Sequence, residues 1–181
     1  MTDGKIVLVY GPMKSGKSAT LIDIYNNLIK QGVVVECFKP TIDTRDVGFI
    51  KSRAYDFTVP CKMLYNMTDC IKSNADVVMI DEFQFIQSQI ILEIVNTFKN
   101  NNKTLYIFGL DKIANGDEWP AYSVIKDLVD KKIKLTATCE LCGDVAEYTK
   151  IENGTGEAVQ IEGDGVNVKY FPVCKRCFYR K

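Results

Sequence analysis

Gly11-Pro12-Met13-Lys14-Ser15-Gly16-Lys17-Ser18 fits the pattern GxxxxGK[ST] and lies between an apolar run and an amphipathic one. That context turns the pattern into evidence for a phosphate-binding loop. The glycines let the backbone curl so that successive N–H groups point at the β- and γ-phosphates of a nucleotide, and the following helix N-terminus adds partial positive charge. Lys17 neutralises phosphate charge and the Ser18 hydroxyl holds Mg²⁺. All eight residues are therefore candidates for binding ATP.

Working outward, Lys5-Ile6-Val7-Leu8-Val9-Tyr10 reads as a buried parallel strand covered on both faces. On the other side, Leu21, Ile24, Tyr25 and Leu28 recur at helical spacing, widened by Ile22 and Ile29, until Gly32 stops the helix. Val33 to Phe38 predicts a second strand and Val77 to Ile80 a third. Gln87 to Lys99, with Ile90, Ile91, Ile94, Val95 and Phe98 on one stripe, predicts another helix before a strand at Leu105 to Phe108. Strands alternating with helices imply an α/β fold with a parallel sheet flanked by helices. Around Cys139 the pattern changes to short β-like pieces, with Gly143, Gly154, Gly156, Gly163 and Gly165 among them. The sequence thus divides into a P-loop domain, 1–138, and a small C-terminal lobe, 139–181.

At 181 residues and 46% hydrophobic content, the chain can bury one main core and a small appendage. Lys plus Arg and Asp plus Glu both number 23, so no net basic field draws in nucleic acid or a membrane surface. Met1 to Gly4 lacks the basic start and long apolar stretch of a signal peptide, and no run is long enough for a membrane helix. A soluble, cytoplasmic protein is expected. There, seven Cys including two CxxC pairs point to a metal rather than disulfides. The chain has no His, so no imidazole is available as a general base or a zinc ligand.

A P-loop enzyme needs a carboxylate near its metal at the end of a neighbouring buried strand, and Asp81 follows Val77-Val78-Met79-Ile80 in that manner. Glu82 comes next, so its side chain should turn away from Asp81 toward the space of an acceptor. It is the best candidate for the base that takes the acceptor hydroxyl's proton.

Cys139-Glu140-Leu141-Cys142 and Cys174-Lys175-Arg176-Cys177 are two CxxC pairs separated by 31 residues, the pattern of a four-cysteine zinc ribbon. Such a closed site is structural, since four thiolates leave no position for water. Redox chemistry at one pair is the alternative. Cys37, Cys61 and Cys70 have no such partners and read as ordinary thiols.

In this order, the P-loop, the acidic pair and the late cysteine lobe resemble the thymidine kinases of animals, bacteria, large DNA viruses and phages. The resemblance also includes Lys39-Pro40, Ile42-Asp43-Thr44-Arg45, Ser52-Arg53, Gln84-Phe85, Gly109-Leu110-Asp111, Tyr148-Thr149-Lys150 and Tyr170. It implies that Glu82 is the catalytic base, that Asp81 and Ser18 serve Mg²⁺, and that Asp43, Arg45 and Gln84 lie on the ATP side. It implies further that Met13, Phe85, Leu110 and Trp119 wall a thymidine pocket. Thr149 and the segment from Gly163 to Tyr170, with Gly165 in it, form the lid that the zinc lobe stretches over the base. The implied reaction moves the γ-phosphate of ATP to the 5′-hydroxyl of thymidine, with deoxyuridine as a second substrate, in a homotetramer with structural zinc.

Three departures stand out. Phe83 occupies the place of a usually small residue and puts a bulky ring beside the catalytic strand end. Ala114 falls where the family has an aromatic, and the stretch Gln160 to Tyr170 is longer than usual. Two other readings remain open on the residues alone. One is a P-loop kinase for a different small acceptor; the other is an ATPase-like module whose ribbon, with Lys175, Arg176, Arg180 and Lys181, contacts nucleic acid.

Overall fold

The apolar run before the phosphate loop forms the strand β1 (Ile6–Tyr10), whose side chains alternate between two cores. Ile6 and Leu8 enter one, Val7 and Val9 the other, which is why the run shows no polar alternation. The computed structural model describes residues 4–52, 56–152 and 168–180. Of the positions named above, Met1, Arg53, Gly154, Gly156, Gly163, Gly165 and Lys181, with most of the lid stretch, lie outside the described residues.

After β1 the chain forms α1 (Lys17–Lys30), β2 (Val35–Pro40), a hairpin of β3 (Phe49–Lys51) and β4 (Thr58–Pro60), then β5 (Lys62–Leu64) and β6 (Val77–Ile80). Next come α2 (Ser88–Asn100), β7 (Thr104–Gly109), α3 (Pro120–Ile125) and β8 (Lys131–Lys134). The six-stranded sheet has the order β5-β2-β6-β7-β1-β8, and every adjacent pair is parallel. The α/β expectation holds. One positional detail differs: β7 lies between β1 and β6, so Asp81 reaches the phosphate loop across an intervening strand rather than from an adjacent one.

Helices cover both faces. On one, α2 buries Ile91, Ile94, Val95 and Phe98, and α3, which opens on Pro120, adds Ala121, Tyr122 and Ile125. On the other lie Leu21 and Ile22 of α1, joined by Ile50 and Val59 of the β3–β4 hairpin. Each fully buried aliphatic or aromatic side chain contributes about 1.5–3 kcal/mol relative to exposure.

The strand predicted at Val33 to Phe38 sits two residues later. Val33 still donates its N–H to Leu28 at the end of α1, and Val34 donates to the Asp76 carboxylate. At the far end Lys39 and Pro40 stay in the ladder, paired with Met63 and Leu64 of β5. The edge strand β8, Lys-Lys-Ile-Lys, exposes its lysines, a charge pattern that discourages edge-to-edge pairing.

The remainder is a lobe of short pairs. β9 (Ala137–Thr138) pairs antiparallel with β10 (Val145–Ala146), and β11 (Tyr148–Glu152) with β12 (Lys169–Val173), followed by α4 (Lys175–Tyr179). Its core is small: Cys139, Ala146, Val173, Cys174 and Cys177.

Candidate active site

The phosphate loop is held in a shape that L-residues adopt at a cost. Lys14 has φ 60° and Gly16 φ 84°, and glycine at the second position is what allows the turn into α1. Among the described residues, no backbone N–H of Lys14, Ser15, Gly16, Lys17 or Ser18 donates to another protein group. These open donors at a helix N-terminus form an anion cradle. Lys17 Nζ folds back on the loop, 2.7 Å from the Pro12 carbonyl and 3.1 Å from that of Gly11. Burial pulls the Lys17 pKa down, and the nearby charges of Glu82, Asp81 and Asp111 oppose that.

Asp81 and Glu82 follow β6 directly. Asp81 is 5% exposed, and burial first, with the Glu82 charge second, pushes its pKa up to about 7. Glu82 stands in the left-handed region, φ 54° and ψ 40°, which costs a non-glycine residue about 1–2 kcal/mol. That backbone turn sends the two consecutive carboxylates to different partners. Glu82 Oε1 accepts from Arg45 Nη2 at 2.9 Å, and Oε2 accepts from the Gln84 amide. Arg45 Nε in turn donates to Asp43 at 2.8 Å. Burial works against the guanidinium charge, but the bonds to Asp43 and Glu82 outweigh it and raise its pKa.

Gln84, expected among the ATP ligands, lines the cleft, and its amide is bonded within the protein. Nε2 donates to Glu82, and Oε1 accepts from the Leu110 N–H at 3.1 Å. Phe83 does not enter the site. It is fully buried in the core, and its ring lies so close to Gly109 that a Cβ there would meet it at 2.6 Å and the Gln84 Oε1 at 2.3 Å.

A cleft of about 590 Å³ runs from the phosphate loop past Asp81 and Glu82 to an apolar end. Met13, Phe85, Leu110, Trp119, Thr149 and Tyr170 all line it, as does Ala114. Phe85 and Trp119 meet edge to face at 5.8 Å. The Trp119 ring lines the cleft, and its indole N–H is buried without a partner among the described residues. Thr149 is 4% exposed, and its hydroxyl accepts the Met13 N–H at 3.0 Å.

The four cysteines converge. Their Sγ atoms all lie within 4.8 Å of one another, with Cys142 and Cys174 at 3.6 Å. Zn–S bonds of about 2.3 Å put the corners of a tetrahedral site about 3.8 Å apart, so the donor set fits zinc. The thiols also compete for ionisation. Burial opposes ionisation of Cys139, yet backbone hydrogen bonds from Cys174, Leu141 and Cys142 hold its pKa down to about 6. Cys177, hydrogen-bonded to Cys142, is pushed up to about 12. A divalent cation resolves that conflict by stabilising all four thiolates.

Two features of the site carry no role in the sequence reading. Lys39 is 2% exposed, and its ammonium donates to the carbonyls of Arg45 and Asp46 (3.0 Å to the latter) while standing 3.7 Å from the Asp43 carboxylate. It braces the turn that carries Arg45. A lysine directly after the apolar pair Cys37-Phe38 of β2 is the sequence signal for it. Phe49 to Ser52 also line the cleft, from a hairpin too short for periodicity to reveal.

Known proteins are similar to this chain along most of its length. A sequence model described as thymidine kinase matches residues 4–178. A thymidine kinase of Ureaplasma urealyticum is 34% identical over 185 residues, 95% of this chain and 81% of that protein. One from Bacteroides fragilis is 30% identical over 186 residues, 98% and 88% of the two chains, and one from Amsacta moorei entomopoxvirus is 26% identical over 181 residues, 96% and 97%. With the family's sequence matched nearly end to end, and a phosphate cradle, buried acidic pair and four-cysteine cluster in one fold, this chain belongs to the thymidine kinase family.

Proposed function

We propose that this site transfers the γ-phosphoryl group of ATP to the 5′-hydroxyl of thymidine, giving dTMP and ADP in deoxynucleoside salvage for DNA synthesis. The observation that carries this reading is the position of Glu82: one cleft joins it to the phosphate cradle on one side and to the walls of Met13, Phe85, Leu110 and Trp119 on the other.

The loop amides and Lys17 receive the phosphates of ATP, and Arg45 lies on the same side, with Asp43 fixing its guanidinium. Ser18 and Asp81 would hold Mg²⁺; a carboxyl kept near pH 7 by burial beside a second carboxylate is a donor that gains from a cation. When bound, Mg²⁺ supplies charge neutralisation on the phosphoryl oxygens. Glu82 takes the 5′-hydroxyl proton as that oxygen forms its bond to the γ-phosphorus, and the bond to the β–γ bridging oxygen breaks as ADP leaves. Gln84 holds the second Glu82 oxygen, so the carboxylate has one orientation. The apolar walls receive the thymine ring, and Thr149 and Tyr170 belong to the lid, which excludes water.

Cys139, Cys142, Cys174 and Cys177 would hold a structural zinc that folds a lobe too small to carry its own core. We take the kinase domain as 1–138 and the lasso lobe as 139–181. A cytoplasmic homotetramer that engages neither nucleic acid nor membrane completes the proposal. Balanced charge supports the lack of nucleic-acid and membrane contact, and among the described residues no helix is long and apolar enough to cross a membrane.

The test is product identification: with Mg²⁺, ATP and thymidine, dTMP and ADP should form in equal amounts. Release of ADP and inorganic phosphate without dTMP would overturn the assignment.

A further inference from the structure

Two contacts from the cysteine lobe land on consecutive residues of the phosphate loop. The Met13 N–H donates to the Thr149 hydroxyl at 3.0 Å across 136 positions of sequence. Next to it, Lys14 Nζ meets Glu140 Oε1 at 2.7 Å, and Lys14 is the loop residue held at φ 60°. Both lobe partners are tied to the cysteine cluster. Glu140 lies between Cys139 and Cys142, and its N–H donates to the Pro172 carbonyl at 3.0 Å. Pro172 is in turn the ladder partner of Thr149, two residues ahead of Cys174. Behind Thr149, Lys150 Nζ donates to the Cys177 carbonyl at 3.2 Å.

We propose that Thr149 is a positioning residue for the ATP site, and that with Glu140 it makes the cysteine lobe a brace for the phosphate loop. The proposal rests on reading Gly11 to Ser18 as the ATP site and gives the lobe a task beyond covering the nucleoside. The physical argument is pre-organisation. A loop with a left-handed Lys14 and a row of unpaired amides would relax in isolation, and every rearrangement that ATP must reverse weakens its binding. Thr149 is the stronger of the two contacts because it is buried; the Lys14–Glu140 pair is more than a third exposed on both sides and contributes less.

The experiment is calorimetric titration of Mg·ATP into the full-length, zinc-loaded protein without nucleoside, for the wild type and for Thr149→Val, Thr149→Ser and Glu140→Ala. Thr149→Val keeps the shape and removes the acceptor. It should weaken Mg·ATP binding about threefold to tenfold, the range for one neutral hydrogen bond. Thr149→Ser, which keeps the hydroxyl, should restore wild-type affinity. Glu140→Ala should weaken Mg·ATP binding measurably, by about 1.5-fold to threefold, and leave thymidine affinity unchanged, since Glu140 is outside the cleft. Wild-type Mg·ATP affinity in Thr149→Val overturns the proposal, as does equal loss in the Val and Ser variants. A wild-type protein that binds no Mg·ATP overturns the ATP-site reading itself, a separate and recognisable result. If Thr149→Val does not fold in a thermal scan, Glu140→Ala decides: unchanged Mg·ATP affinity there counts against the brace.

Discussion

Arg45 Nη2 donates to Glu82 Oε1 at 2.9 Å, so the guanidinium proposed for the phosphate side and the carboxylate proposed as the base form one unit. Anything that orients the guanidinium therefore also orients the base. Replacing Glu82 by Gln keeps the size and removes the proton acceptor. Turnover should fall by roughly 10²–10⁴-fold, the usual loss for a general base, while Mg·ATP affinity stays near wild type. Steady-state kinetics with a parallel ATP titration checks this, and unchanged turnover rules out the role given to Glu82.

Gly109 does not line the cleft, yet the geometry makes it sensitive. An added Cβ would lie 2.3 Å from Gln84 Oε1 and 2.6 Å from the Phe83 ring. Gly109→Ala must displace the amide that holds Glu82, and overpacking costs about 1–3 kcal/mol. The variant should show a lowered melting temperature together with reduced kcat, and a crystal structure should show Gln84 moved. Wild-type kcat in a destabilised Gly109→Ala would mean that Gln84 does not set the position of Glu82.

The parallel sheet, the phosphate loop, the acidic pair and the cysteine cluster are legible in the sequence because each is local. Apolar runs mark β1, β6 and β7, and fixed spacings mark the loop and the two CxxC pairs. Relations between distant segments are not legible. Nothing in the residues near Thr149 says that its hydroxyl takes the Met13 amide, nor that β7 intervenes between β1 and β6. Phe83 reads as a ring beside the site, and only the close approach of Gly109 sends it into the core. The β3–β4 hairpin escapes because three-residue strands carry too little periodicity.

Asp81 gives a pH dependence whose sign follows from its pKa of about 7. A carboxyl raised in the folded state keeps its proton where the unfolded chain has released it. Its contribution therefore favours folding below the ordinary Asp value and is withdrawn as pH rises through about 7. Without Mg²⁺, the wild type should lose stability relative to Asp81→Asn from about pH 4 to about pH 7 and level off above that. Mg·ATP should recover it, with a larger thermal shift at the upper end. Parallel melting profiles of the two proteins across this range would contradict the assignment.

For the cysteine cluster the expectation is one zinc per chain by elemental analysis, lost on replacing Cys174 by Ser. Because metal binding and folding of such a lobe are linked, that variant should also lose the cooperative melting of the lobe and most of its activity. A metal-free wild type with full stability would remove zinc from the account.

The central claim, phosphorylation of thymidine, is tested most directly by kcat/KM for thymidine, deoxyuridine, deoxycytidine, deoxyadenosine and deoxyguanosine as acceptors with Mg·ATP. The account predicts thymidine highest and deoxyuridine second, within about 10–200-fold, since the two differ by one methyl group in an apolar pocket. The other three should be far lower. A purine or cytosine nucleoside in first place, or transfer to none of the five, would contradict it.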